Sequence, residues 1–152
     1  MRTIGIRVAP KTVTFVIYDY AENQVITAES IKVPQALDVP DALKYVRSNL
    51  LDILREYQIK KAGIRSAESA SRTPNTTRFY IEGVIQETFA SSDLDSYFVG
   101  AIATISSKVG IERKQFKKYI DGTLTFDKVE NWNEFSMHQK EAFFCALGAV
   151  NV

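Results

Sequence analysis

The feature that most constrains this chain is the order in which two hydrophobic periods follow one another. Up to Val33 the apolar residues recur at period two. Ile4, Ile6 and Val8 form one run, Val13, Phe15 and Ile17 a second with Val16 and Tyr18 on its other face, and Val25, Ile31 and Val33 a third. β-branched and aromatic residues at this spacing read as strands. The links between the runs, Ala9-Pro10-Lys11 and Ala21-Glu22-Asn23, are too short for a crossover. Neighbouring strands joined so tightly run antiparallel.

Past Asp38 the period changes. Pro40 suits a first helical turn, and Leu43, Val46, Leu50, Leu51 and Leu54 then share one face, with Lys44, Arg47, Asp52, Arg55 and Glu56 elsewhere. The spacing predicts a helix ending near Tyr57. Ala62-Gly63-Ile64 reads as a short buried strand. Asn75 or Thr76 caps a second helix reaching about Phe89, with Phe79, Ile81, Val84, Ile85 and Phe89 as its apolar residues. Tyr97-Phe98-Val99 reads as a strand, residues 102–108 and 112–120 as short helices, the latter stopped at Asp121-Gly122. A last helix opens at Ser136, where Gln139 completes a capping box, and runs apolar to Val150. Parallel strands need crossovers of helical size, and the two middle helices supply them. The expectation is one α/β domain over residues 1–152. Its mixed five-stranded sheet has three antiparallel leading strands and two parallel ones, flanked by helices.

Composition narrows the function classes. With 45% hydrophobic and 24% charged residues the balance is globular. The 19 Lys+Arg nearly cancel against 18 Asp+Glu, so affinity for nucleic acid cannot come from net charge and must come from a local patch. Cys145 is the one cysteine and sits in an apolar run, which excludes an internal disulfide and fits a reducing compartment. Met1-Arg2-Thr3-Ile4 lacks a signal-peptide pattern. No apolar run approaches the roughly 20 residues that span a bilayer. A soluble, cytoplasmic protein without membrane contact is expected. There is no Gly-rich phosphate loop, and a single histidine with no nucleophile elbow argues no Ser-His-Asp or Cys-His set.

Several pieces together resemble the RuvC-type Holliday-junction resolvases of the RNase H-like superfamily and small bacterial families related to them. Thr3-Ile4-Gly5-Ile6-Arg7 is similar to the opening strand, Ala62-Gly63-Ile64-Arg65 to the fourth strand, and Val109-Gly110-Ile111 with Glu112-Arg113-Lys114-Gln115 to a segment that opens a helix with a basic residue. His138-Gln139-Lys140-Glu141-Ala142 resembles the final-helix motif. The resemblance implies an RNase H-like fold and a two-metal nuclease site built from four acids. The positions that match those acids hold Arg7, Arg65, His138 and Glu141. A guanidinium repels a metal and cannot deprotonate to escape, so two divalent ions at these positions are physically unreasonable. The loss of two acids weighs against catalysis, and no cofactor is expected. If the fold holds, Arg7, Arg65 and Glu141 are neighbours, and a salt-bridge cluster takes the place of the metals; independent, solvent-facing arginines are the alternative. A rebuilt metal site from Glu68, His138 and Glu141 is a further alternative.

Two surfaces are candidates for phosphate contacts. Lys108, Arg113, Lys114, Lys117 and Lys118 form the densest basic stretch, with Arg113 and Lys117, and Lys114 and Lys118, one helical turn apart. Arg65, Arg72 and Arg78, with Ser66, Ser69, Ser71 and Thr73, form a second, and with Arg7 they offer a cradle for a phosphate. The bland readings are a solvated helix face and an ordinary loop with an Arg78–Glu82 pair. The functional expectation is therefore a catalytically degenerate RuvC-like domain that binds nucleic acid or works inside a nucleic-acid-processing complex. A protein–protein module or homodimer, and a metal-dependent nuclease with a rebuilt site, are the alternatives.

Overall fold

A computed structural model describes residues 1–66 and 75–152. The expectations concerning Glu68, Ser69, Ser71, Arg72 and Thr73 lie outside these residues. Each leading run is a strand: β1 (Arg2–Val8), β2 (Thr12–Asp19) and β3 (Gln24–Lys32) pair antiparallel in succession. The second link closes with Asn23 in the left-handed region at φ 52°, and Asp19 Oδ1 accepts from the backbone N–H of Ala21 and Glu22. Helix α1 (Val39–Glu56) carries the chain over to β4 (Lys61–Arg65), and α2 (Thr76–Ser91) carries it on to β5 (Ser96–Gly100). Both crossovers give parallel pairs, so the order across the sheet is β3-β2-β1-β4-β5.

The caps explain where the helices begin. Asp38 accepts from the Asp41 N–H ahead of α1, and Asn75 accepts from the Arg78 N–H ahead of α2. Helices α3 (Ile102–Val109), α4 (Arg113–Asp121) and α5 (Met137–Ala149) follow β5, and a 3-10 turn (Trp132–Glu134) precedes α5. That turn was not expected from sequence. Helix α5 opens with a reciprocal capping box of Ser136 with Gln139, and at the start of α4 the Glu112 N–H donates to Gln115 Oε1.

The sheet divides the core in two. Ile4, Ile6 and Val8, with Val13, Phe15 and Ile17, face α1 and α2 and meet Val46, Leu50, Ile81 and Ile85. The opposite face carries the aromatic core of Phe116, Phe126, Trp132, Phe143 and Phe144. Trp132 sits within it, its indole N–H donating to Tyr119 O at 2.9 Å. Helix α5 is buried on every side from Lys140 to Ala149, as its apolar run requires. Among the described residues no helix is long and apolar enough to cross a membrane.

Period two on β1 decides what α5 meets. The odd residues point at the helix, and they are small or polar. Thr3 Oγ1 donates to Ala146 O at 2.7 Å. Gly5 lets the backbones touch: a Cβ there would stand 1.9 Å from Ala142 O and 2.2 Å from Ala146 N. Gly63, the register partner of Gly5 on β4, does the same beneath Cys145, where a Cβ would stand 2.7 Å from the carbonyl oxygen. Lys61 then reaches the far end of α5, donating to Val150 O and Val152 O. The helix lies in a trough along β1 and β4, running opposite to both.

Candidate functional site

At the other end of that trough the strands finish on Arg7 and Arg65, which are register partners. Helix α5 begins directly above them. Its capping box fixes the first turn, and His138 and Glu141, three residues apart, share a face. Arg7 Nε donates to Glu141 Oε2 at 2.5 Å, and Arg65 Nη1 donates to Glu141 Oε1 at 2.5 Å. Arg7 Nη1 also donates to Val8 O. All three side chains are close to nine-tenths buried, at 11%, 12% and 9% exposure for Arg7, Arg65 and Glu141. One carboxylate thus answers two guanidiniums, and the arginines do not point independently to solvent.

A third guanidinium stands near. Arg78, in the first turn of α2, donates from Nε to Glu82 Oε2 at 2.9 Å, the expected one-turn pair. Burial lowers the Arg78 pKa from its ordinary value, and the charges of Arg7 and, more weakly, Arg65 lower it further, against the pull of Glu82. His138 is half-buried, and its imidazole is also held below its usual value. Burial is the main cause, with repulsion from Arg7, Arg78 and Arg65 added and Glu141 opposing. Two guanidinium nitrogens, Arg65 Nε and Arg78 Nη2, are buried with no hydrogen-bond partner among the described residues. Neither orphan was legible in the sequence, because a one-turn pair such as Arg78–Glu82 accounts for a charge without saying which of its five donors is used.

The other basic residues lie on a separate surface of the same sheet face. Arg113, Lys117 and Lys118 are exposed on α4, and Lys114 pairs with Glu112 at 3.3 Å, both side chains mostly in solvent. Lys108 is half-buried, its ammonium 5.3 Å from the Phe98 ring centroid. Phe116 points into the core between these cations. Lys140, which the sequence did not single out, is buried and ties α5 to α4 by donating to Ile120 O and Asn133 Oδ1.

Two divalent ions do not fit this donor set. Both oxygens of Glu141 are taken by cations, and two permanent positive charges occupy the space where hard oxygen ligands are needed. Among the described residues no group of three or more His, Cys, Asp and Glu side chains is placed to hold a metal. Of the alternative set, Glu68 lies outside the described residues.

No family profile and no curated protein matches the chain in sequence. Solved structures do match in shape. Thermus thermophilus RuvC superposes with a TM-score of 0.71 at 9% identity, covering 97% of this chain and 92% of that one. The fold is RuvC-like. The same T. thermophilus RuvC in complex with a Holliday junction substrate gives 0.67 at 11% identity, again over 97% and 92%. The fowlpox virus Holliday junction resolvase gives 0.52 at 16% identity, over 99% of this chain and 95% of that one. The resemblance read from short motifs is therefore borne out for the RuvC-like sheet and its flanking helices. At such identities the likeness is one of fold, and the chemistry of this RuvC-like chain has to be argued from its own side chains.

Proposed function

We propose that this chain is a RuvC-like domain without nuclease chemistry that binds nucleic acid, alone or within a nucleic-acid-processing complex. The observation that carries the reading is the Arg7–Glu141–Arg65 cluster. It joins the tips of β1 and β4 to the start of α5 by ion pairs, at the positions where the family resemblance implies metals. An enzyme dependent on metal-activated water has nothing to work with there, while a surface of guanidinium and ammonium groups suits phosphate. The exposed cations of α4 supply the longer-range attraction.

The competing reading is a protein-interaction module. It is favoured by the near-neutral net charge and by a groove of about 270 Å³ lined by Leu37, Val39, Leu43 and Tyr80. The deciding experiment is binding of labelled branched and duplex DNA at two salt concentrations with Mg²⁺ or Mn²⁺ present, the products being resolved on a gel. Salt-sensitive binding without cleavage is expected. Substituting Lys114 and Lys118 should weaken it and flatten the plot of log affinity against log salt by about 1 per lost phosphate contact. Cleavage would overturn the reading. Absence of binding at low salt would hand the function to the protein-interaction alternative.

A further inference from the structure

The sheet has two edges, and they are dressed differently. β3 closes one side with the exposed side chains of Gln24, Glu29, Ser30 and Lys32, a polar and charged edge of the kind that discourages further pairing. β5 closes the other, and Ser96-Tyr97-Phe98-Val99-Gly100 carries neither charge nor proline. Among the described residues no strand lies beyond it. Its main-chain groups can be sorted by side. Gly100 O accepts from the Ser66 N–H, on the β4 side. Main-chain groups alternate along a strand, so those of Phe98 also face β4, and those of Tyr97 and Val99 face outward. The same two residues expose apolar side chains, at 39% each. The Tyr97 ring is already held against Phe89 of α2, the centroids 5.6 Å apart. A strand that offers both unpaired amides and apolar side chains is a template for another strand.

We infer that β5 pairs antiparallel with β5 of a second copy of this chain, across a two-fold axis at Phe98. The strand is complementary to itself in that register. Tyr97 exchanges both main-chain bonds with Val99 of the second copy, and Val99 does the same with Tyr97, so every outward group is answered. The pairing also sets an aromatic ring against a β-branched side chain on each side of the axis, a favourable cross-strand pair. Moving the axis to Tyr97 would put Val99 against Asp95 instead. Charge fits as well. With the axis at Phe98, the exposed Asp95 of each copy lies across from Ala101 of the other, the N-cap of α3. That helix opens with no side-chain cap and no acid in its first turn, so its positive end suits a carboxylate. The dimer is closed. Both β5 edges are used up, and the joined sheet ends on the charged β3 strand of each copy. A strand of five residues makes a small interface, so the association is weak and depends on concentration.

Sedimentation equilibrium of the full chain, from micromolar to millimolar protein, tests the pairing. A monomer–dimer equilibrium is expected. Tyr97→Glu and Val99→Lys, each alone, should raise the dissociation constant about tenfold, because the two-fold axis repeats every substitution. Placed together in one chain they should recover the affinity, since the register then sets a carboxylate against an ammonium on both sides of the axis. That recovered dimer should weaken as salt is added. Asp95→Asn should loosen the unsubstituted dimer and make it less sensitive to salt. Both strand positions are exposed, so circular dichroism of the variants should match that of the unsubstituted chain. A chain that stays monomeric throughout the range, a dimer indifferent to both single substitutions, or a double variant no tighter than the singles would overturn the proposal.

Discussion

Arg7 and Arg65 are register partners on adjacent parallel strands, and each holds one oxygen of the same carboxylate, that of Glu141. Like charges placed opposite one another on a sheet repel, and the Glu141 carboxylate between them offsets that repulsion. Glu141→Gln keeps the shape and removes the charge. It should cost about 3–5 kcal/mol, the penalty for stranding buried partners, against about 0–1 kcal/mol for a surface pair. Urea unfolding with unchanged m-value measures it, and a loss below about 1 kcal/mol would show that the cluster does not hold these elements together. Replacing all three with Met, Met and Leu should cost less than Glu141→Gln alone, because no charge is then left buried.

Gly5 and Gly83 should respond in opposite directions to the same methyl group. At Gly5 the added carbon meets backbone atoms of α5, 1.9 Å from Ala142 O. Those atoms can move only by lifting the helix, so Gly5→Ala should destabilise by at least about 3 kcal/mol. Gly83 lies exposed inside α2, and a Cβ added there would meet nothing within 4 Å. There Gly83→Ala should stabilise by about 0.5–1 kcal/mol through helix propensity alone. Thermal unfolding of the two variants side by side checks both signs.

The Cys145 thiol should be silent until the protein opens. It is fully buried on α5, and burial, aided by the charge of Glu141, pushes its pKa up to about 12. At pH 8 a thiol-reactive dye should label the native protein only at the rate of opening and the denatured protein at once. Immediate labelling under native conditions would mean that α5 is not seated in its trough.

Stability should fall as pH drops from neutrality through the range where an ordinary histidine protonates. His138 has a depressed pKa in the folded protein, so below the usual value near 6.5 the unfolded chain takes up a proton that the folded one resists. The unfolded state then binds more protons, and stability rises with pH across that window. His138→Gln should flatten this part of the curve. An unchanged slope in that variant would assign the dependence to other groups.

The leading strands were legible because the face of β1 turned to α5 carries Thr3, Gly5 and Arg7, so alternation with Ile4, Ile6 and Val8 survives although both faces are covered. Asn75, Ser136 and Gln139 were legible as caps because capping is chemistry of three or four adjacent residues. The meeting of Arg7, Arg65 and Glu141 was legible only through the resemblance to RuvC-like proteins, since a parallel register across a helical crossover leaves no mark in either strand. The two orphan guanidinium nitrogens were out of reach, as they depend on which donor each arginine spends. The turn at Trp132–Glu134 left no mark in the sequence because three residues are too few to show a period. Glu68 and Arg72 remain expectations from sequence.

The trough that receives α5 is made early in the chain and filled late. Thr3 waits for Ala146, and Arg7 and Arg65 wait for a carboxylate 134 and 76 residues downstream. During synthesis the first strands therefore leave the ribosome with one face bare and two guanidiniums unanswered. The contacts that settle them cannot form before residues 137–149 are made. Contacts so distant in sequence make folding slow and leave the uncovered sheet open to wrong partners in the meantime. The strands made first stay incomplete until α5 is made.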